Sequence, residues 1–206
     1  MIICSFFFRQ TDLPDAIKLS RQGHPTIGYA KANAHIVVFE EPKCFNCRIF
    51  NEQVMPTIKR EYIDKNKATY TVIPVSFLPG SMPAALALLC VYLSDPLDPN
   101  SELFFTYLDY MYKHQPDESQ DWATTDLLVE FAEKASPAIN IKQLRRCIDK
   151  AAYRKKVRKN TDYGTKVMGG ELLTPTVYVN GIEVKDLTID NMREILDQVL
   201  ESGGQK

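Results

Sequence analysis

The sequence predicts an α/β protein in which an all-helical block is inserted between two sheet-forming parts. One observation is the order of apolar patterns between residues 34 and 77, which is strand-like, then helix-like, then strand-like. The other is a hairpin pattern that begins at Thr176, after a long stretch of helical periodicity. With 206 residues, of which 45% are hydrophobic and 25% charged, the chain has a globular composition and can form one sizeable core.

The first part of the chain predicts a βαβ unit. The run A-H-I-V-V-F, residues 34–39, is apolar and rich in β-branched residues, which indicates a buried strand that ends before Pro42. From Cys47 onward, apolar residues recur every three or four positions and predict an amphipathic helix with a kink at Pro56. A second strand is predicted over residues 68–77, so the two strands should be parallel and their connection right-handed.

The middle of the chain predicts helices only. Helical periodicity is interrupted by two polar, proline-containing loops, D-P-L-D-P-N and Q-P-D-E-S-Q-D. The predicted helices cover 82–94, 101–114, 121–135 and 140–158. Because strands resume afterwards, we interpret this block as an insertion into one α/β domain rather than as a separate unit.

The last part predicts a β-hairpin and a helix. Strands over Thr176–Val179 and Ile182–Lys185 flank the turn dipeptide Asn180-Gly181. A final helix over 191–201 follows, with Asp190 as its predicted N-cap.

These patterns divide the chain into five predicted segments. The apolar start M-I-I-C-S-F-F-F is either a local hydrophobic segment or the remnant of a secretion signal. The segments are an N-terminal extension (1–21), the first part of the α/β domain (22–79), the helical insertion (80–160), the second part of the domain (161–201) and a tail (202–206).

The charge composition of the chain does not favour an anionic binding partner. The net charge is −1, from 25 basic and 26 acidic residues, so no overall field attracts nucleic acid or an anionic membrane. The basic run R-K-K-V-R-K, residues 154–159, is interpreted as a solvated face near the negative end of a helix. We therefore expect a small-molecule or protein partner and no nucleic acid.

The cysteines are the main candidates for functional residues in the sequence. Cys44 and Cys47 are three positions apart, a spacing that fits a redox-active dithiol, half of a metal site or two buried cysteines. A zinc site needs a second pair of ligands, and the histidines, His24, His35 and His114, are scattered along the chain. Cys90 and Cys147 lie at apolar helical positions and are predicted to be free, buried cysteines.

The place of the pair in the chain favours the redox interpretation. A thiol at a helix N-terminus faces unpaired amide hydrogens and the positive end of the helix dipole, which lower its pKa. Cys44 is at this position and should be the attacking nucleophile, whereas Cys47, one turn later, should be the resolving thiol. Lys43 would place a cation next to Cys44.

Together these features resemble the DsbA-like thiol-disulfide oxidoreductases, a branch of the thioredoxin fold. The resemblance covers about residues 22–201 and rests on a strand followed by C-F-N-C, a kinked helix, a helical insertion and T-P-T before a hairpin. It implies a thioredoxin-like fold with an inserted all-helical block and a redox-active disulfide between Cys44 and Cys47. It also implies that the Thr174-Pro175 bond is cis and that this loop receives the extended backbone of the substrate.

The resemblance also implies a function and a setting. Proteins of this kind exchange disulfides with the thiols and disulfides of protein substrates, without a metal or an organic cofactor. They work in the periplasm or another extracytoplasmic space, with a membrane-bound or soluble redox partner.

Three features depart from the family pattern. Phe45 and Asn46 stand between the cysteines, and without a histidine there we expect a moderate or reducing potential. Val38 occupies the place of a buried acid used in proton transfer, and Glu41 is the nearest substitute, ahead of Glu40. Leu173 replaces a glycine before T-P-T.

Two alternatives remain at this point. One is a non-catalytic binding module or soft-metal carrier with the thioredoxin fold. The other, ranked lower because the C-x-x-C pair is intact, is an enzyme of the same fold that uses glutathione.

Overall fold

A computed structural model of the chain describes residues 15–203 and contains a five-stranded mixed sheet with helices packed on it. Cys4 and the apolar start of the predicted N-terminal extension lie outside the described residues. The strands are β1 (Thr26–Gly28), β2 (Ala34–Glu40), β3 (Ala68–Pro74), β4 (Thr176–Val179) and β5 (Ile182–Val184), in the order β1-β3-β2-β4-β5.

The centre of the sheet is the predicted βαβ unit. Strands β2 and β3 pair in parallel, as predicted, and Val38 lies opposite Val72. Every residue of β3 is buried, and so is every residue of β2 except His35, which is half-buried. The predicted hairpin forms β4 and β5, and β4 pairs antiparallel with β2. Strand β1, a three-residue edge strand antiparallel to β3, was not predicted from the sequence.

The helical segment after β2 begins at Phe45, two residues before the predicted start. It consists of α1 (Phe45–Ile49), a π-helical turn (Phe50–Val54), α2 (Met55–Ile58) and a second π-helical turn (Lys59–Ile63). Pro56 lies in the first turn of α2, immediately after a π-turn. The missing N–H of proline is tolerated there, so the helix changes its winding around Pro56.

The inserted block contains α3 (Met82–Tyr92), α4 (Ser101–His114), α5 (Thr125–Ala135), α6 (Ile141–Asp149) and α7 (Arg154–Val167). Side chains of Asn100, Thr124 and Asn140 cap the starts of α4, α5 and α6. The buried face of α4 contains Phe104, Tyr107, Leu108, Met111 and Tyr112.

The prediction of one helix over 140–158 was wrong, because the chain turns between α6 and α7. Ala151 has φ +46°, a left-handed conformation that ends a helix. The basic run 154–159 consequently opens α7 instead of closing a helix, so its expected place at the negative end of the dipole was also wrong. Helix α7 continues to Val167, across residue 160, where the sequence analysis ended the insertion.

The prediction that Cys90 and Cys147 are free was also wrong. Cys90 on α3 and Cys147 on α6 form a disulfide, with their Cα atoms 6.0 Å apart. Their apolar surroundings were correctly identified, but α3 and α6 pack against each other and bring the two thiols within bonding reach.

The last helix, α8 (Ile189–Gly203), packs with its buried residues Met192, Leu196 and Val199 on the main core. It starts two residues earlier than predicted. No helix within residues 15–203 has both the length and the apolar character needed to cross a membrane.

Candidate active site

Cys44 and Cys47 lie where the central strand β2 gives way to α1. Cys44 has an extended backbone and is the N-cap residue of α1, and Cys47 follows in the first turn. Both carry free thiols. Cys44 retains a small exposure of 8%, whereas Cys47 is completely buried, so Cys44 is the residue of the pair within reach of another molecule.

The surroundings of Cys44 favour its thiolate. A hydrogen bond from the Cys47 thiol is the main cause, and the Thr174 hydroxyl and the amides of Cys47 and Asn46 add to it. Together they outweigh desolvation, which acts in the opposite direction, and lower the pKa of Cys44 to about 6. A large fraction of Cys44 is therefore ionised at neutral pH.

The pKa of Cys47 is shifted in the opposite direction. Burial is the main cause that raises the pKa of Cys47 well above its usual value, and the nearby sulfur of Cys44 and carboxylate of Glu40 raise it further. The pair thus consists of one ionisable thiol at the rim and one protonated thiol beneath it. This asymmetry is the one predicted from the position of the pair at a helix start.

The loop before β4 faces the dithiol, as the resemblance implied. The Thr174-Pro175 bond is cis, and the thiol of Cys44 donates to the Thr174 carbonyl oxygen at 3.5 Å. The buried hydroxyl of Thr174 has no hydrogen-bond partner within the described part of the chain while Cys44 is a neutral thiol. This hydroxyl is therefore available to a thiolate.

A cleft of about 320 Å³ lies beside the pair. Asn46 lines it together with Thr174, Pro175, Val54 and Leu187, so the cleft joins the dithiol helix to the proline loop. Its walls are partly apolar, and the backbone of the loop at Thr174 and Pro175 borders it. An extended peptide that pairs with this loop would pass next to Cys44.

Two buried acidic residues precede the dithiol, and the sequence ranked Glu41 ahead of Glu40 as the acid for proton transfer. Glu40 is fully buried and accepts hydrogen bonds from the hydroxyls of Tyr70 at 2.7 Å and Tyr112 at 2.9 Å. Burial is the main cause that raises the pKa of Glu40 to about 7. Glu40 acts on Cys47 through its charge, whereas Glu41 acts on Cys47 through its backbone amide.

Glu41 instead holds the backbone around the site. Its carboxylate accepts hydrogen bonds from the amides of Lys43 at 3.0 Å and Leu78 at 3.1 Å. Burial raises its pKa to about 7, as it does for Glu40. Glu41 therefore ties the chain before Cys44 to the loop after β3.

Lys43 does not pair with the Cys44 thiol as expected from the sequence. Its side chain is buried, and its ammonium donates to the carbonyl oxygens of Pro79 at 2.9 Å and Gln120 at 2.8 Å. Lys43 thus connects the dithiol segment to two loops. Phe45, in contrast, is 47% exposed, and the Arg48 guanidinium lies 4.9 Å from the centre of its ring.

The loop between α4 and α5 also contributes to the site, which the sequence did not predict. The Gln115 amide donates to the Pro42 carbonyl oxygen at 2.9 Å, and the Glu118 carboxylate accepts from the Phe45 amide at 2.6 Å. These residues are about 70 positions from Cys44, so no local spacing connects them to it. Only the polar composition Q-P-D-E-S-Q-D distinguished this loop.

Comparisons with known proteins agree with this geometry. A model of the family described as Thioredoxin matches residues 20–198. Disulfide bond formation protein D of Bacillus subtilis is 31% identical over 184 residues, which make up 88% of this chain and 79% of the relative.

Solved structures show the same similarity. The crystal structure of Chlamydia trachomatis DsbA has a TM-score of 0.82 and 38% identity, covering 91% of this chain and 97% of that one. The structure of oxidised BdbD from Bacillus subtilis has a TM-score of 0.80 and 30% identity, covering 91% and 99%. These relatives do not favour the non-catalytic alternative. The chain belongs to the thioredoxin family and is a protein-disulfide oxidoreductase of its DsbA-like branch, a thioredoxin fold with a helical insertion.

Proposed function

We propose that the protein exchanges disulfides with protein substrates through Cys44, with Cys47 as the resolving thiol. The observation that carries this proposal is the contrast within the pair. Cys44 has a pKa of about 6 and partial exposure, whereas Cys47 is fully buried and protonated. A low-pKa thiolate is a good leaving group and can form at neutral pH, and a buried partner is protected from substrates.

In the oxidising direction, a substrate thiolate attacks the Cys44 sulfur of the Cys44-Cys47 disulfide. The bond between the two cysteines breaks, a substrate-Cys44 disulfide forms, and Cys47 leaves as a thiolate that takes up a proton. A second substrate thiolate then attacks the substrate sulfur of this mixed disulfide and releases Cys44 as a thiolate. The substrate loses two electrons, which the Cys44-Cys47 dithiol holds.

We propose Glu40 as the group that supplies and accepts the Cys47 proton. Its carboxyl group has a pKa of about 7, so both of its protonation states are populated at neutral pH. Its charge acts on Cys47, and hydrogen bonds from Tyr70 and Tyr112 fix its position. The sequence ranked Glu41 first for this role, and we assign it to Glu40 because its charge acts on Cys47.

The direction that we propose is disulfide donation at a moderate potential. A more acidic nucleophilic thiol stabilises the reduced enzyme and makes its disulfide more oxidising. With a pKa of about 6, Cys44 lies between the value of about 7 found in thioredoxin and that of about 3.5 found in strongly oxidising DsbA. We therefore expect a reduction potential between about −270 and −120 mV. Relatives named for disulfide bond formation support the oxidising direction.

This activity requires a compartment in which disulfides are stable and an oxidant that regenerates the Cys44-Cys47 disulfide. We propose that the protein works in the periplasm or another extracytoplasmic space, where disulfides are stable. After each turnover, a membrane-bound or soluble redox partner would accept two electrons from the Cys44-Cys47 dithiol.

Trapping experiments test the assignment of the two thiols. A Cys47→Ala variant cannot resolve the mixed disulfide, so substrate proteins should remain bound to Cys44 and be identifiable by mass spectrometry. A Cys44→Ala variant is the matched control and should trap none, because Cys47 is buried. Equal trapping by the two variants would contradict the proposal.

A further inference from the structure

One acidic side chain of the helical block reaches the N-terminus of the dithiol helix. The Glu118 carboxylate accepts a hydrogen bond of 2.6 Å from the backbone amide of Phe45, the first residue of α1 and the neighbour of Cys44. The loop that carries Glu118 is fixed on both sides. Gln115 donates to the Pro42 carbonyl oxygen, and the Gln120 carbonyl oxygen accepts from Lys43.

Different backbone amides at the start of α1 bind Cys44 and Glu118. The amides of Asn46 and Cys47 stabilise the Cys44 thiolate, whereas the amide of Phe45 donates a hydrogen bond to the Glu118 carboxylate. Unpaired N–H groups of a first helical turn favour negative charge, so the same helix start binds two anionic groups when Cys44 is ionised. A carboxylate bound to the amide of the residue after Cys44 is thus part of the site.

We propose that Glu118 determines substrate specificity, by selecting proteins that carry a lysine or arginine next to the reacting cysteine. The inference rests on the proposed exchange at Cys44. Glu118 and Phe45 are both exposed, so a substrate bound at Cys44 can reach them. The carboxylate accepts through one oxygen, and its second oxygen makes no hydrogen bond within the described part of the chain.

The charges around Glu118 support a preference for a cation. Its loop also carries the exposed acids Asp117 and Asp121 and has no basic residue between positions 115 and 121. Two cations approach this loop from other segments, and both already have partners. The Arg48 guanidinium contacts the Phe45 ring and the Gln115 carbonyl oxygen, and the Lys43 ammonium donates to the carbonyl oxygens of Pro79 and Gln120. A substrate cation would meet an acidic rim, and its aliphatic stem could pack on Phe45.

Two model peptides test this inference with the disulfide form of the whole protein. They contain the same two cysteines and differ only in a lysine or a glutamate next to the cysteine that reacts first. We expect the lysine peptide to be oxidised about 2- to 5-fold faster, the range typical of one exposed charge pair. The difference should shrink at about 0.5 M salt, because salt screens exposed charges.

A charge-removing variant and a matched control identify the residue responsible. Glu118→Gln keeps an acceptor for the Phe45 amide but removes the charge, so the lysine preference should largely disappear. Asp121→Asn removes one charge from the same loop at a side chain without a hydrogen bond among the described residues, and most of the preference should remain.

Glu118→Gln should also lower the pH at which reduced Cys44 ionises, since a neighbouring negative charge disappears. A purely structural role would change stability but leave the peptide ratio and this pH unchanged, which would overturn the inference. Exchange with both peptides at equal rates would overturn it as well, while leaving the proposed function intact. Exchange with neither peptide would overturn the proposed function, and this inference with it.

Discussion

The two cysteine pairs within the described chain show how strongly the surroundings decide the chemistry of a thiol. Cys44 and Cys47 lie three residues apart at the start of one helix, where amides and a hydroxyl stabilise one thiolate. Cys90 and Cys147 are 57 residues apart on two packed helices, joined as a disulfide among apolar side chains. The first pair is built to change its redox state, and the second cross-links the helical block.

The two cysteine pairs differ in their access to a substrate. Cys44 is next to a cleft and the proline loop, so a substrate can attack it or be attacked. Cys90 is buried and bonded to a cysteine of a different helix, so the pair constrains the unfolded chain. We therefore expect activity to depend on the first pair and stability on the second.

The largest expected effect is on activity. Cys44→Ser should reduce disulfide exchange to the uncatalysed rate, because serine supplies no redox-active sulfur. The double variant Cys90→Ala/Cys147→Ala should retain most of the activity. Both are measured as the rate at which a reduced two-cysteine peptide is oxidised. Loss of activity in the double variant, while it remains folded, would contradict the separation of roles.

The next effect is on stability. Removing the Cys90-Cys147 disulfide releases a loop closed over 57 residues, which by chain entropy costs about 4 kcal/mol in the free energy of unfolding. Denaturant unfolding of Cys90→Ala/Cys147→Ala measures this loss. Reduction of Cys44-Cys47 alone in the wild-type protein serves as the comparison. We expect no comparable loss from this reduction, because the Cys44 thiolate stabilises the reduced form.

The third expected effect is on the pH dependence of stability, to which Glu40 contributes. Its pKa is about 7 in the folded protein, above the usual value of 4.5. Such a carboxyl stabilises the fold fully below pH 4.5, and this contribution is lost as the pH rises through 7. At about 1.4 kcal/mol per pKa unit, the loss amounts to about 3 kcal/mol.

Glu40→Gln should remove this part of the pH dependence. Unfolding of the oxidised protein between pH 4 and 8 is the suitable measurement, because neither Cys44 nor Cys47 titrates in that form. Parallel pH profiles for the variant and the wild type would refute the assignment. The variant should also prolong the lifetime of mixed disulfides on Cys44, since Cys47 loses its proton acceptor.

The smallest effect is expected at Thr174. Thr174→Val keeps the shape of the side chain but removes the hydroxyl that stabilises the Cys44 thiolate. We expect the pKa of Cys44 to rise by about one unit, the scale of one hydrogen bond to a charged group. The absorbance of the thiolate during a pH titration measures this change. An unchanged titration would mean that the hydroxyl does not reach the sulfur.

The sequence predicted the reactive pair better than the cross-linking pair, for a physical reason. Cys44 and Cys47 derive their chemistry from their own strand and helix, which local patterns identify. The pairing of Cys90 with Cys147 depends on how α3 and α6 pack, and their apolar surroundings equally suit free cysteines. Spacing along the chain carries no information about such a contact.

The same reason explains what was missed around the dithiol. Tyr70 and Tyr112 reach Glu40 from β3 and α4, and Glu118 reaches α1 from a distant loop, so tertiary packing alone brings them together. The break at Ala151 was missed because alanine favours helices and no glycine or proline marks the turn.

Site-resolved alkylation of the reduced protein tests the central claim most directly. The rate of modification at each cysteine is followed by mass spectrometry from pH 4 to 9. The account predicts that Cys44 reacts with a midpoint near pH 6, while Cys47 stays largely unmodified and Cys90 and Cys147 remain bonded. A midpoint for Cys44 near the ordinary cysteine value of about 8.5, or faster modification of Cys47, would contradict it.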